Sequence, residues 1–292
     1  MSTKSDYTPQ AIFDSIDYLL ASENIPAHVP SQYYDDYQYA KQFLLSYQHN
    51  RATFLSYRRE IERFAQYSWF VTCHPMEKMQ RADIEEYLIF CQKPPISWIA
   101  RKKVDRFTVN KNGERLPNPA WRPFLVTISK SDRRQGKSLR RNQYRLSEKG
   151  FKEIFTILNC YYNFLIQEER TGLNPIIQIK QKSRFYQTHQ SKTKIRRVSE
   201  YQWKTIIETA EQMTEREPEK HERTLFMISA LYSMYLRISE LAASPRWTPT
   251  MNDFSKDHEG RWWFTTVGKG NKERLIAVSP SMLTALKRWR KH

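Results

Sequence analysis

Apolar residues recur at steps of three and four through residues 53–70 (TFLSYRREIERFAQYSWF). Phe54, Tyr57, Ile61 and Phe64 share one helical face there, and Thr53 is the expected N-cap. The same period runs through residues 82–91 (Ile84, Tyr87, Leu88, Cys91) until Lys93-Pro94-Pro95 ends it. A third stripe, Phe151, Phe155, Leu158, Tyr162 and Leu165, starts at Ser147 and stops at Gly172 and Asn174-Pro175. Weaker helices are expected from Pro9 to about Leu20 and over residues 35–48. Residues 96–146 break the period, carry Pro117, Pro119 and Pro123, alternate briefly over Phe124–Ile128, and read as an insertion that could hold a hairpin. Residues 176–197 show no period and read as a linker.

Beyond the linker, Ser199 and Gln202 have capping-box spacing and open a helix to about Met213. Residues 222–235 form a strongly apolar helix, the expected centre of a second domain. From residue 261 the period becomes two: RWWFTTV, then GKGNK, then ERLIAV, a β-hairpin in which Gly268 and Gly270 are expected to supply positive φ. Ser279-Pro280 starts a last helix. The expected organisation is therefore an N-terminal segment (1–34), a helical domain (35–178) with its insertion at about 96–146, a linker (179–197) and a second domain (198–292). The fold class is mainly α with a small β-hairpin or sheet.

Charge changes this picture. The 292 residues hold 48 Lys and Arg against 31 Asp and Glu, a net of +17. The excess is concentrated: residues 101–150 carry 15 basic and 4 acidic side chains, and residues 180–197 carry seven basic ones and no acid. Two such blocks are the footprint expected of a polyanion-binding protein, with double-stranded DNA or RNA the commonest partner. Lys180, Lys182, Arg184, Lys192, Lys194, Arg196 and Arg197 of the linker and Arg140 and Arg141 of the insertion are the candidate phosphate contacts. No stretch approaches the roughly 18 consecutive apolar residues of a membrane span, and the first twenty residues lack a secretory pattern, so a cytoplasmic protein is expected. Three scattered cysteines form neither a disulfide framework nor a metal site, and no cofactor is expected.

Two segments carry candidate chemistry: LYSMYLRISELAAS (231–244), with Arg237 and Glu240 three apart, and VGKGNKERLIAV (267–278), with Lys269 at the hairpin tip and Lys272 and Arg274 behind it. Together they resemble the tyrosine recombinase family, the phage integrases and Xer-type site-specific recombinases. The family pattern around its first catalytic arginine reads G-L-R-I-S-E-L; here it is Y-L-R-I-S-E-L, with Tyr235 in the glycine's place. The SYRREIERF segment (56–64) and the helix ending at Asn174-Pro175 are similar to that family's SAM-like core-binding domain, which together with the catalytic domain clamps duplex DNA.

The resemblance implies strand cleavage and rejoining through a 3′-phosphotyrosine. Arg237 would clamp the nonbridging oxygens of the scissile phosphate, Lys269 would protonate the leaving 5′-oxygen, and Glu240 would orient Arg237. Lys272 would contact DNA, and Arg274 would be a structural or phosphate-contacting residue of the hairpin. The family's His-x-x-Arg pair and nucleophile lie beyond the hairpin and are not found. His258 to Arg261 matches that spelling but precedes Lys269 and is read as coincidence, and no tyrosine is nominated as nucleophile. The expectation is a DNA-binding recombinase or integrase of a mobile element, truncated before its last catalytic boxes and unable to cleave as it stands. With its C-terminal part it would assemble as a homo-oligomer on DNA. The alternatives are a recombinase-derived regulator that occupies recombination sites without catalysis, and a basic RNA-associated protein.

Overall fold

The computed structural model describes residues 7–127, 134–136, 140–182, 197–244, 247–268, 270 and 272–292. The chain divides into two compact units, Met1–His189 and Gln190–His292.

The first unit is helical: α1 (Ile16–Ala21), α2 (Tyr34–Leu45), α3 (Arg51–Tyr67), α4 (Arg81–Gln92), α5 (Glu148–Gln167) and α6 (Pro175–Lys182). The α3 stripe buries Phe54, Ile61 and Phe64 against Tyr87 of α4 and Tyr161 and Tyr162 of α5 in one core. Asn50, rather than Thr53, caps α3, its side chain accepting from the Thr53 N–H. Pro9 starts no helix. The expected first helix begins later, as α1 at Ile16; residues 9–15 carry no regular secondary structure, Ala11, Ile12 and Phe13 being buried and the amides of Ile12 and Phe13 donating to Glu62 Oε1 at 2.5 and 3.1 Å. Those two bonds replace the ones a helix would have supplied.

The basic insertion is built into this core. Strands β1 (Ile99–Ala100) and β4 (Phe124–Leu125) pair in parallel, and between them β2 (Phe107–Val109) and β3 (Arg115–Pro117) form an antiparallel hairpin. Trp98, Ile99, Phe124, Val126 and Tyr144 join the helices in the core. Arg63 of α3 fixes them: Nε and Nη2 donate to the Pro123 carbonyl at 2.8 and 2.7 Å, and its guanidinium lies 4.5 Å from the Phe124 ring. Two of the insertion's cations are likewise structural, Arg106 paired with Glu62 and Arg115 with Asp14.

The stop expected at Gly172 and Asn174-Pro175 comes earlier: α5 ends at Gln167, Glu169 takes the left-handed region at φ +57 and the Arg170 N–H donates back to the Leu165 carbonyl at 2.8 Å, so Asn174-Pro175 serves instead to open the next helix. The Asn174 side chain accepts from the Ile176 N–H and donates to Asn159 and Asn163, and Pro175 opens α6, whose Ile176 and Ile179 are fully buried. A helix thus occupies the start of the stretch expected to be a linker, because two isoleucines three apart have a core to enter.

The second unit contains α7 (Glu200–Arg216), α8 (Pro218–Ser233), α9 (Ile238–Leu241) and α10 (Pro280–Lys291), with a three-stranded antiparallel sheet ordered β5 (Phe254–Lys256), β6 (Trp262–Val267), β7 (Glu273–Ala277). Ser199 and Gln202 form the expected capping box, and Ser279 caps α10 by accepting from Met282 N–H. Phe226, Ala230 and Met234 from α8 and its end pack with Phe264 of β6 and Met282 and Leu286 of α10. Among the described residues, no helix is long and apolar enough to cross a membrane.

Candidate phosphate site

After α8 the chain must turn sharply before α9, and Tyr235 does so in the left-handed region at φ +51 with 84% of its surface exposed. That conformation is ordinarily glycine's, because a side chain costs about 1–2 kcal/mol there. Arg237 then precedes α9, and its backbone N–H donates to Glu240 Oε2 at 2.8 Å. Glu240 is completely buried. Its carbonyl accepts from the Thr266 hydroxyl of β6 and from the Trp247 indole, both at 3.3 Å, so α9 is pinned to the sheet.

The carboxylate of Glu240 holds two arginines. Oε1 accepts from Arg237 Nη1 at 2.8 Å, and Oε2 accepts from Arg274 Nη2, also at 2.8 Å. Arg274 comes from β7, where it pairs with Thr266 in register, so both side chains lie on the sheet face that meets α9. Burial alone would raise the Glu240 pKa; the Arg237 N–H, the Arg237 guanidinium and Arg274 outweigh it and hold the carboxyl below its usual range.

Gly268 is required by space. A Cβ on it would stand 2.9 Å from Glu240 Oε1 and 3.7 Å from Arg237 Nη1, closer than the carboxylate can tolerate. Its φ is not positive, against expectation; only Gly270 in the hairpin turn has that geometry, at φ +79. The turn closes through the Gly268 N–H donating to the Lys272 carbonyl at 2.8 Å.

The arrangement is therefore a buried carboxylate neutralised by two guanidiniums that remain open to solvent, Arg237 at 60% and Arg274 at 41% side-chain exposure. Each uses one of its five N–H donors on Glu240, and among the described residues neither has another side-chain partner. The remaining donors are preset forks suited to phosphate oxygens.

Lys269 falls outside the described residues, as do Arg184, Lys192, Lys194 and Arg196; the side chains of Lys180 and Lys182, at the end of α6, are not described either. Arg140, Arg141, Arg197 and Lys272 are exposed. His258 and Arg261 belong to the turn between β5 and β6. Asp257 organises that turn by accepting from the Arg261 N–H and Nε and from the Trp263 indole, while His258 projects into solvent. The pair's spelling therefore reflects a turn remote in role from the carboxylate. What the sequence reading missed was that Arg274 shares Glu240 with Arg237. Its parity with Ile276 and Val278, which face the core, was the available signal.

In the second unit, a buried carboxylate that holds two half-exposed guanidiniums at a β-hairpin is an arrangement chemically suited to an oxyanion such as a phosphate. Over about half its length the chain is 30% identical to tyrosine recombinase XerD of Rickettsia conorii (144 residues, 49% of this chain and 44% of the relative). It is 34% identical to that of Rickettsia prowazekii (135 residues, 46% and 40%). The matched stretches span less than half of those relatives. No family model matches the chain. In fold it is similar to the XerH site-specific recombinase in a post-cleavage complex with a palindromic difH substrate, at a TM-score of 0.50 and 12% identity over 94% of this chain and 65% of that one. Over about half its length the chain is thus similar in sequence to the tyrosine recombinases.

Proposed function

We propose that the chain is a duplex-DNA-binding, site-specific recombinase of the tyrosine type, in which Arg237 and Arg274 together receive one phosphodiester of the DNA backbone. The observation that carries this reading is the single buried carboxylate clipping two half-exposed guanidiniums. Negative charge concentrates on the nonbridging oxygens as a phosphodiester becomes five-coordinate. Donors already fixed in place stabilise that charge without having to reorganise. Glu240 supplies the fixing: it aligns both arginines and spares them the mutual repulsion they would otherwise feel.

Lys269 is assigned the protonation of the leaving 5′-oxygen, on the ground that the sequence puts it between Gly268 and Gly270, in the turn next to which Arg274 pairs with Thr266. Lys180, Lys182, Arg184, Lys192, Lys194, Arg196 and Arg197, with Arg140, Arg141 and Lys272, are assigned to the DNA backbone. The biological setting is assigned as integration or excision of a mobile element in the cytoplasm, with several copies meeting on DNA. No tyrosine among these residues is assigned as nucleophile, and this chain by itself is expected to bind DNA without forming a covalent adduct.

A competition experiment tests the reading. A labelled B-form DNA duplex of about 30 base pairs, bound by the full chain, should resist displacement by double-stranded RNA of the same length and sequence, because the grooves and phosphate spacing of A-form RNA differ. Equal competition by the two would contradict a DNA-clamping function and favour an RNA-associated one.

A further inference from the structure

Tyr235 is the most exposed large hydrophobic side chain among the described residues. The residues on either side of it, Met234 and Leu236, are buried and join the core with Phe264. They fix the backbone between α8 and α9, so the ring stands on a rigid base rather than on a free loop. Among the described residues, its hydroxyl has no hydrogen-bond partner and its ring meets no other ring or cation. Two costs therefore fall on one residue: the left-handed φ of +51 strains any side chain, and the exposed ring recovers nothing by burial. Glycine would remove both. A strained residue without a return inside the fold points to a contact outside it.

The place of the ring says which contact. Arg237 follows two residues later and also faces solvent, and two residues span at most about 7 Å of backbone. Around a phosphate held by Arg237 and Arg274, what lies within that reach is a nucleoside. In a paired duplex the face of its base is covered by stacked neighbours, and a ring has nothing to lie against. Exchange of a strand at that phosphate requires the adjoining pair to open, which uncovers the base and forfeits its stacking. An aromatic ring restores the stacking whatever the base is, since every base has a π-face.

We infer that Tyr235 is a stacking platform for an unpaired base beside the phosphate gripped by Arg237 and Arg274, so that the site favours DNA opened at that point over DNA fully paired. The inference rests on the reading of Arg237 and Arg274 as a phosphate site, and it adds which state of the DNA that site prefers.

The test is competition binding by the full chain between two DNA duplexes of the same sequence, one fully paired and one carrying a single extra adenine bulged from its middle. The unaltered chain should prefer the bulged duplex by about 5- to 150-fold, the range that one base–aromatic stack supplies. Tyr235→Phe should keep that preference. Tyr235→Gly, which relieves strain and therefore folds, should lose it while binding the paired duplex with unchanged affinity and salt dependence, since no phosphate contact is removed. Replacing Arg237 and Arg274 together by Ala should also abolish the preference, because the base is then no longer brought to the ring. A preference that survives in Tyr235→Gly or in the double Ala protein refutes the platform. So does the lack of any preference in an unaltered chain that binds the paired duplex, and in each of these cases DNA binding stands. If the unaltered chain binds neither duplex, the DNA-binding reading falls and this inference with it.

Discussion

Replacing Glu240 by Gln keeps the shape of the side chain and removes one acceptor. The carboxylate accepts three hydrogen bonds: Oε2 from the Arg237 N–H and Arg274 Nη2, Oε1 from Arg237 Nη1. A glutamine retains at most the pair at one position, and its amide then faces a guanidinium donor. A hydrogen bond to a charged group contributes about 1.5–3 kcal/mol. Both arginines are more than one third exposed and can rehydrate, so the net loss should be roughly 1–2 kcal/mol. For a unit of this size that lowers Tm by roughly 5–12 °C.

Thermal unfolding followed by circular dichroism, at several pH values, measures the effect. The folded-state pKa of Glu240 is depressed, so its contribution is present above the unfolded carboxylate value of about 4.3 and is lost as pH falls through the lower folded value. The gap between the two proteins should be widest near pH 7 and should narrow toward pH 3. A gap below about 1 °C at pH 7, or one that persists unchanged in acid, would refute the claim that this carboxylate holds the site together.

Three further substitutions probe other parts of the account. Tyr235→Gly should raise the Tm of the second unit, because relief of about 1–2 kcal/mol of left-handed strain exceeds the roughly 0.5–1 kcal/mol of added chain entropy; a lower Tm would mean the exposed ring makes contacts that matter. Gly268→Ala should destabilise by about 1–3 kcal/mol through the collision with Glu240, and a neutral result in a melt would show that the hairpin has room. Asp36 accepts from the Trp69 indole and the Met76 N–H, yet burial raises its pKa to about 6. It therefore favours the folded state most below about pH 3.8, and that contribution fades as pH rises through 6, on the order of 3 kcal/mol at most. Asp36→Asn should flatten this part of the pH profile of first-unit stability, and an unchanged slope would assign the pH dependence elsewhere.

The long amphipathic helices and the hairpin could be read directly from period and capping, because burial of one face leaves its mark at every third or fourth residue. The pattern failed where a few buried contacts override propensity. Residues 9–15 form no helix, and Glu62, about fifty residues away in sequence, takes the amide protons of Ile12 and Phe13. Asn174-Pro175 has the form of a helix start as well as of a stop, and only the buried places awaiting Ile176 and Ile179 decide between them. The insertion was legible only as a basic segment that could hold a hairpin, because its aromatic residues are irregularly spaced and show no buried face, yet Trp98, Phe124 and Tyr144 are core residues.

At the candidate site, Arg237 and Glu240 stood out by motif. Glycine at position 268 was legible in kind but not in cause, since the close approach of Glu240 has no local signature. The strain at Tyr235 was foreshadowed by its standing where glycine is usual.

The proposal that Arg237 and Arg274 grip one phosphate is tested most directly by ethylation interference on a bound duplex, in which single phosphates carry an ethyl group that blocks an anionic contact. For the unaltered chain, discrete phosphates should be depleted from the bound fraction, and at least one should recover when Arg237 and Arg274 are both alanine. The same depletion pattern in both proteins would contradict the assignment.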